Sequence, residues 1–202
     1  MPVESIQRAL TFRFAESEAD FVSVLRLRHV AYAAVGKVDA SLPPTCMEDA
    51  FDRDAACLMA EHHGRLVGTA RLVLPRPGAL TEYDDYVSLP PSMDRRHLAV
   101  LSRIATHAEY RGGDLLYSLV LRCLARAWKA GRRTVLGGCT EGLFRVYERV
   151  GAKRTGLTFA HAALGDTVEQ LIYFETSCVV TRIGVIRELW EEVFSTPGPE
   201  KL

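Results

Sequence analysis

The stretch from Ser102 to Leu124, SRIATHAEYRGGDLLYSLVLRCL, limits what this chain can become more than any other. Strand-like residues lead into it (Leu98, Val100, Ile104), and it turns through Tyr110-Arg111-Gly112-Gly113. Beyond the turn, Leu116, Leu119, Val120, Cys123, Leu124 and Ala127 fall at the three-and-four spacing of a helix with one apolar face. A strand that turns through glycines into a helix collects free backbone N–H groups and the positive end of the helix dipole in one place. That arrangement suits a phosphate or pyrophosphate. It is also what an ordinary strand-to-helix turn looks like.

Composition narrows the partners. Twenty-five basic and 25 acidic residues cancel over 202 positions, which gives no argument for nucleic acid or for a charged membrane surface. No apolar run approaches the ~20 residues needed to span a bilayer, so no integral membrane segment is expected. The start, MPVESIQRALTFRF, lacks the pattern of a signal peptide. The five cysteines are scattered and odd in number, without C-x-x-C spacing, which fits reduced thiols in a cytoplasmic protein. His62 and His63, neighbours on a strand, would point to opposite faces, so no metal site is expected.

Thr11 to Ala15 reads as a first strand, and Ser17 as the cap of a helix reaching about Tyr32, with Gly36 breaking it. Glu48, Asp49, Asp52 and Asp54 crowd around Phe51, either as a solvated acidic turn or as a receiver for a cationic group. Ala56–Ala60 and Leu66–Leu74 form a hairpin around His63-Gly64-Arg65. From Pro75 to about Arg96 no helical period is visible, and a loop of that length is either functional, here a cover over substrate, or floppy. Thr134 to Leu136 reads as a short strand ending at Gly137-Gly138, then Glu141–Val150 as a helix with Gly151 as its left-handed cap. A final hairpin over Arg154–Ala162 and Thr167–Glu175 and a helix over Val179–Phe194 complete one expected domain spanning 1–202, its core about 11–175.

This order of elements resembles the GNAT acyltransferase fold. The resemblance implies an α/β protein with a mixed, mostly antiparallel, twisted central sheet flanked by helices, here with an extra C-terminal helix. Tyr110, Arg111, Gly112 and Gly113 look like that superfamily's pyrophosphate loop, and would hold the phosphopantetheine arm of a thioester donor. Asp114 departs from the pattern, because the family expects a further glycine there. Phe144 to Gly151, FRVYERVG, resembles the superfamily's last helix, whose tyrosine, here Tyr147, often protonates the departing thiolate.

A narrower resemblance runs from about Arg26 to Glu175. Arg28-His-Val-Ala-Tyr32, Glu48-Asp49-Ala-Phe-Asp52, Gly68-Thr-Ala-Arg71-Leu and Leu101-Ser102-Arg103 look like the ordered blocks of the autoinducer synthase branch. That branch includes the long-chain N-acyl amino acid synthases. The resemblance implies transfer of a long fatty acyl group from acyl carrier protein to the amine of an amino acid. No cofactor is retained, and acyl-CoA is a second possible donor. The remaining alternatives are an acyl-homoserine-lactone synthase, an acetyl-CoA-dependent N-acetyltransferase and an inactive acyl-binding module.

The candidate site residues follow from these blocks. Arg28, Asp49, Asp52, Arg71 and Arg103 place charge on or beside apolar elements, where pairing is required; Arg71 and Arg103 are expected to meet Asp49 or Asp52. With Tyr32 and Ile104 they would shape the substrate mouth, in a V-shaped opening between the strands near Arg103 and Val135. Amine attack on a thioester needs a base, an oxyanion donor and an acid for the thiolate. Tyr147, Ser102 and Glu141 are the catalytic candidates. In the autoinducer synthases a glutamate stands two residues before the serine, where this chain has Val100; Glu141, Glu82 and His107 are possible substitutes. Arg122, Arg126, Lys129 and Arg133 make a helical basic stripe that would suit an acidic carrier protein.

Overall fold

A computed structural model describes residues 10–111, 114–161 and 167–177. Gly112 and Gly113, the turn at Gly165-Asp166, Cys178 and the helix expected over 179–194 lie outside the described residues.

β1 (Leu10–Phe14) leads to α1 (Glu18–Ala33), whose start is set by a reciprocal cap. The Ser17 side chain accepts from the Asp20 N–H at 3.1 Å, the Asp20 carboxylate accepts from the Ser17 N–H, and Arg13 clamps Asp20 from β1. Two short 3₁₀ turns, Pro44–Met47 and Ala50–Asp54, precede the hairpin of β2 (Ala55–His62) and β3 (Arg65–Val73). Its two-residue turn, His63-Gly64, has both φ values positive (51° and 76°), which matches the twist of the strands it joins. β4 (Leu98–Thr106), α2 (Leu115–Lys129), β5 (Thr134–Cys139), α3 (Glu141–Val150), β6 (Lys153–Ala160) and β7 (Val168–Glu175) follow.

The seven strands form one sheet in the order β1-β2-β3-β4-β5-β7-β6. Every neighbouring pair is antiparallel except β4 and β5, which run parallel. The two faces carry different covers, as strand alternation dictates. Leu58, Ala60, Leu72, Ala99 and Leu101 face α2 and α3, meeting Leu119, Val120, Cys123, Leu124, Phe144 and Tyr147. The other face receives α1 through Val24, Cys57 and Met59, and the long loop through Tyr83 and Leu89, which pack with Val73, Val100, Leu136 and Phe159. The loop is therefore ordered rather than floppy. Asp84 pins it, accepting from the Thr81 N–H and pairing with Arg95.

Two departures from the expected strands matter for the site. The fifth strand does not stop at Gly137-Gly138 but continues through both to Cys139. A Cβ on Gly138 would come within 2.8 Å of the Phe159 ring and of the Glu169 carboxylate, so the bare backbone is what lets those groups close in. Second, β4 carries a bulge: Arg103 and Ile104 together oppose Ala70, and Arg103 has φ of 50°. A left-handed arginine costs about 1–2 kcal/mol, and the bulge re-aims both side chains.

Candidate active site

β4 and β5 are paired only over Leu98–Leu101 and Thr134–Gly137. Past those residues they part, and a cleft of about 480 Å³ occupies the gap. The expected opening is thus present beside Arg103, while Val135 lies within the paired segment, opposite Ala99. The cleft is lined from both faces of the sheet. Leu116, Tyr117, Leu143, Val146 and Tyr147 come from the α2 and α3 side; Tyr32, Glu82, Tyr83, Tyr86 and Phe159 come from the α1 and loop side. Ser102, Arg103, Ile104, Gly138 and Cys139 form the parted strand edges between them.

The charge network forms as the spacing predicts. Arg71, fully buried on β3, reaches Asp49 at 2.6 Å and Asp52 at 3.1 Å, bonds Glu82 of the long loop, and donates from Nε to Ser102 Oγ at 3.0 Å. Arg103 reaches the other oxygen of Asp49 at 2.7 Å. Burial works against ionisation of Asp49, but the guanidinium groups of Arg71 and Arg103 outweigh it and hold the carboxyl well below its ordinary range. Arg28, with no exposed surface, pairs with Asp52 at 2.8 Å and donates to Cys57 Sγ. Three guanidinium groups thus face three carboxylates across the loop, β3 and β4.

Not all of these residues meet the cleft. Tyr32, Arg103, Ile104 and Ser102 line it; Arg28, Asp49, Asp52 and Arg71 do not. Those four stand behind the wall and reach the mouth through their partners, since Arg71 and Asp49 bond Ser102, Glu82 and Arg103. Tyr147 lines the cleft and is nearly buried, and burial pushes its phenol up, so it is a neutral O–H donor at pH 7. Glu141 does not fit the catalytic role expected of it. Its carboxylate is exposed, turned away to Arg154 at 2.7 Å, and held below its ordinary pKa by that guanidinium. His107 also stays outside, bonded to Arg65 at 2.7 Å.

At the start of α2, Tyr110, Arg111 and Asp114 line the cleft, so the flanks of the expected phosphate loop open on it. Tyr110 is oriented by His62 at 2.7 Å, and Arg111 ties this segment to α1 by donating to the Ala31 carbonyl at 3.1 Å. The expected basic stripe is broken up: Arg133 lies past the end of α2, and two of the others have another use. Arg122 and Arg126 stack on Phe12 and Phe14 at 3.6 and 3.9 Å, which fastens the helix to β1. Half of the surface expected for a carrier protein is thereby spent on packing.

Among the cleft residues that were not anticipated are Lys37, Cys139, His161 and Glu169. Lys37 and Glu169 pair at 2.8 Å, joining the turn after α1 to β7. Cys139 is buried and its thiol is pushed up to about 11, so it stays protonated. His161 follows β6 two residues after Phe159; the alternation of that strand could have placed both on the cleft side. Among the described residues no cluster could hold a metal ion, and no helix is long and apolar enough to cross a membrane.

A mixed sheet parted between two parallel strands, with a tyrosine-bearing helix on one side of the gap, defines the GNAT fold. Solved structures agree on the fold. FeeM, an N-acyl amino acid synthase from uncultured soil microbes, superposes with a TM-score of 0.64 at 15% identity, over 85% of this chain and 93% of its own. The yncA structure from Salmonella typhimurium, with its cofactor acetyl-CoA, gives 0.60 at 15% identity, over 83% and 94%. An acyl-CoA N-acyltransferase from Pseudomonas aeruginosa gives 0.59 at 18% identity, over 82% and 98%. No curated protein sequence matches. The profile of the family "N-acyl amino acid synthase FeeM" matches residues 23–169, and the chain belongs to that family. It is an N-acyltransferase.

Proposed function

We propose that this enzyme transfers a long-chain acyl group from an acyl carrier protein thioester to the amine of an amino acid, as a single cytoplasmic domain. The observation that carries the donor assignment is Asp114, which lines the cleft at the first turn of α2. A carboxylate there opposes the pyrophosphate of coenzyme A more than the single phosphate of a carrier-bound pantetheine. The apolar wall of Leu116, Leu143 and Val146 offers burial to an acyl chain, at about 0.8 kcal/mol per methylene. Chain length thus supplies affinity that the phosphate contacts do not.

The chemistry follows from the groups in the cleft. Tyr110 and Arg111, with Gly112 and Gly113 beside them, receive the pantetheine phosphate. Beyond Leu101 the β4 edge has no ladder partner from β5, so the N–H groups on that edge, away from β3, face the gap and can pair with the pantetheine amides and the thioester oxygen. Ile104 packs against the donor arm, and Tyr147 gives a proton to the departing thiolate. Tyr32 and Arg103 position the amino acid, Arg103 toward its carboxylate, and Glu82 holds its ammonium. Ser102 keeps Arg71, and through it Glu82, in register.

Mass spectrometry of product formation, with dodecanoyl acyl carrier protein and acetyl-CoA as donors and the protein amino acids as acceptors, tests this reading. Preference for the carrier-bound long chain by at least tenfold is expected, and Asp114→Gly should improve acyl-CoA use more than carrier use. Equal turnover of both donors by the unaltered enzyme refutes the assignment.

A further inference from the structure

No carboxylate of β4 lines the cleft, yet an amine acceptor arrives as an ammonium and must lose a proton before it can attack. Two residues that line the cleft each carry a buried polar atom without a partner among the described residues: Glu82 Oε1, and His161 Nδ1, which accepts in the tautomer protonated at Nε2. Unpaired buried acceptors are costly, and a ligand with several N–H donors satisfies both at once.

We propose that His161 is the general base, and that the acceptor's ammonium is bound between it and Glu82. This rests on the N-acyltransfer reading above and adds a residue to it. Elimination supports the choice, since the other basic groups lining the cleft are engaged or misplaced. Glu82 has its second oxygen on Arg71, so protonating it would weaken a buried ion pair. Glu169 is held by Lys37 at 2.8 Å, which occupies that lysine as well. Cys139 remains a thiol, and Asp114 lies at the far end, at the start of α2. His161 faces Tyr86 of the loop at 5.1 Å between ring centroids, with Arg103 from β4, Glu169 from β7 and Glu82 from the loop within electrostatic range.

These surroundings keep the imidazole neutral at pH 7. Burial lowers its pKa first and Arg103 next, against weaker upward pulls from Glu169, Glu82 and its own backbone. The step balances. The ammonium gives one proton to His161, which releases it to solvent. The amine then attacks the thioester carbonyl and the C–N bond forms. Collapse breaks the C–S bond, and the thiolate takes the Tyr147 proton. The phenolate recovers a proton from the still-protonated amide nitrogen.

The test is the pH dependence of kcat/KM for the acceptor, with dodecanoyl acyl carrier protein as donor and thiol release as readout. The unaltered enzyme should be flat through pH 7 and lose activity on an acid limb below about 6.5. His161→Gln should fall roughly 10²-fold at pH 7 with the donor KM unchanged, and its rate should climb about tenfold per pH unit toward the pKa of the free amine. His161→Ala should regain activity when imidazole is added, which a merely structural role would not allow. A His161→Gln profile that parallels the unaltered enzyme, or His161→Ala that imidazole leaves unchanged, overturns the proposal. If the unaltered enzyme acylates no amino acid from any donor, the functional reading fails first and takes this inference with it.

Discussion

Replacing Arg28 by methionine separates a supporting role from a substrate-binding one. Arg28 has no exposed side-chain surface, and its partner Asp52 has 1%. Removing one member of such a pair strands the other in a medium that cannot solvate it, at about 3–5 kcal/mol. Asp52 is not left wholly alone, however. Its second oxygen stays 3.1 Å from Arg71 and 3.0 Å from the Asp49 N–H. Methionine also refills much of the volume, so the lower end applies, about 3 kcal/mol. For a chain of this size that is a fall in melting temperature of roughly 6–12 °C. Urea unfolding with thermal melts measures it. The double variant Arg28→Met/Asp52→Asn should lose less than the sum of the single losses by about 1 kcal/mol or more, because the two side chains are in contact. Since Arg28 does not line the cleft, kcat at saturating substrates should change by less than about twofold at temperatures where the variant stays folded. A loss below about 1 kcal/mol, or a collapse of kcat/KM at an unchanged melting temperature, would refute the reasoning and return Arg28 to the substrate.

Tyr147→Phe should lower kcat roughly 10²-fold while leaving the melting temperature nearly unchanged, because its ring packs with Phe174 and the hydroxyl bonds no described residue; single-turnover thiol release measures the first and calorimetry the second. Asp49 makes stability depend on pH. Its folded pKa lies below the unfolded value near 3.9, so its contribution is complete above that value and is lost as pH falls toward the folded one. Melting temperatures should hold from pH 7 to about 5 and drop below about 4, and Asp49→Asn, less stable at pH 7, should show a shallower drop.

Much of the fold was legible because its signals are local. The Ser17 cap, the His63-Gly64 turn and the left-handed Gly151 depend on residues within a few positions of one another, and each forms where its spacing predicts. The charge cluster was legible for a different reason: arginines and carboxylates on apolar elements have to find each other. The misreadings are long-range. Gly137-Gly138 looks like a stop because glycine usually weakens a strand; only Phe159 and Glu169, brought in by β6 and β7, show why the strand needs it. Glu141 sits at the right helix end for chemistry, but its cation, Arg154, comes from the next strand and turns it outward. His161 carries no motif; strand alternation from Phe159 gives its side, but its surroundings, Tyr86 and Arg103, come from distant elements.

The brevity of the join between β4 and β5 has a mechanical meaning. β2 and β3 share eight residue pairs, whereas the two halves of this sheet are stitched by four, and parallel ones at that. A seam that short leaves the two halves joined by few ladder bonds, so the packing of the stitch itself carries more of the connection. At its middle Val100 faces Leu136, both buried and both outside the cleft. The Val100 side chain therefore packs inside the join and not at the cleft wall. Enlarging Val100 or Leu136 is therefore expected to shift the gap, and with it the size of thioester admitted, from positions outside the cleft lining.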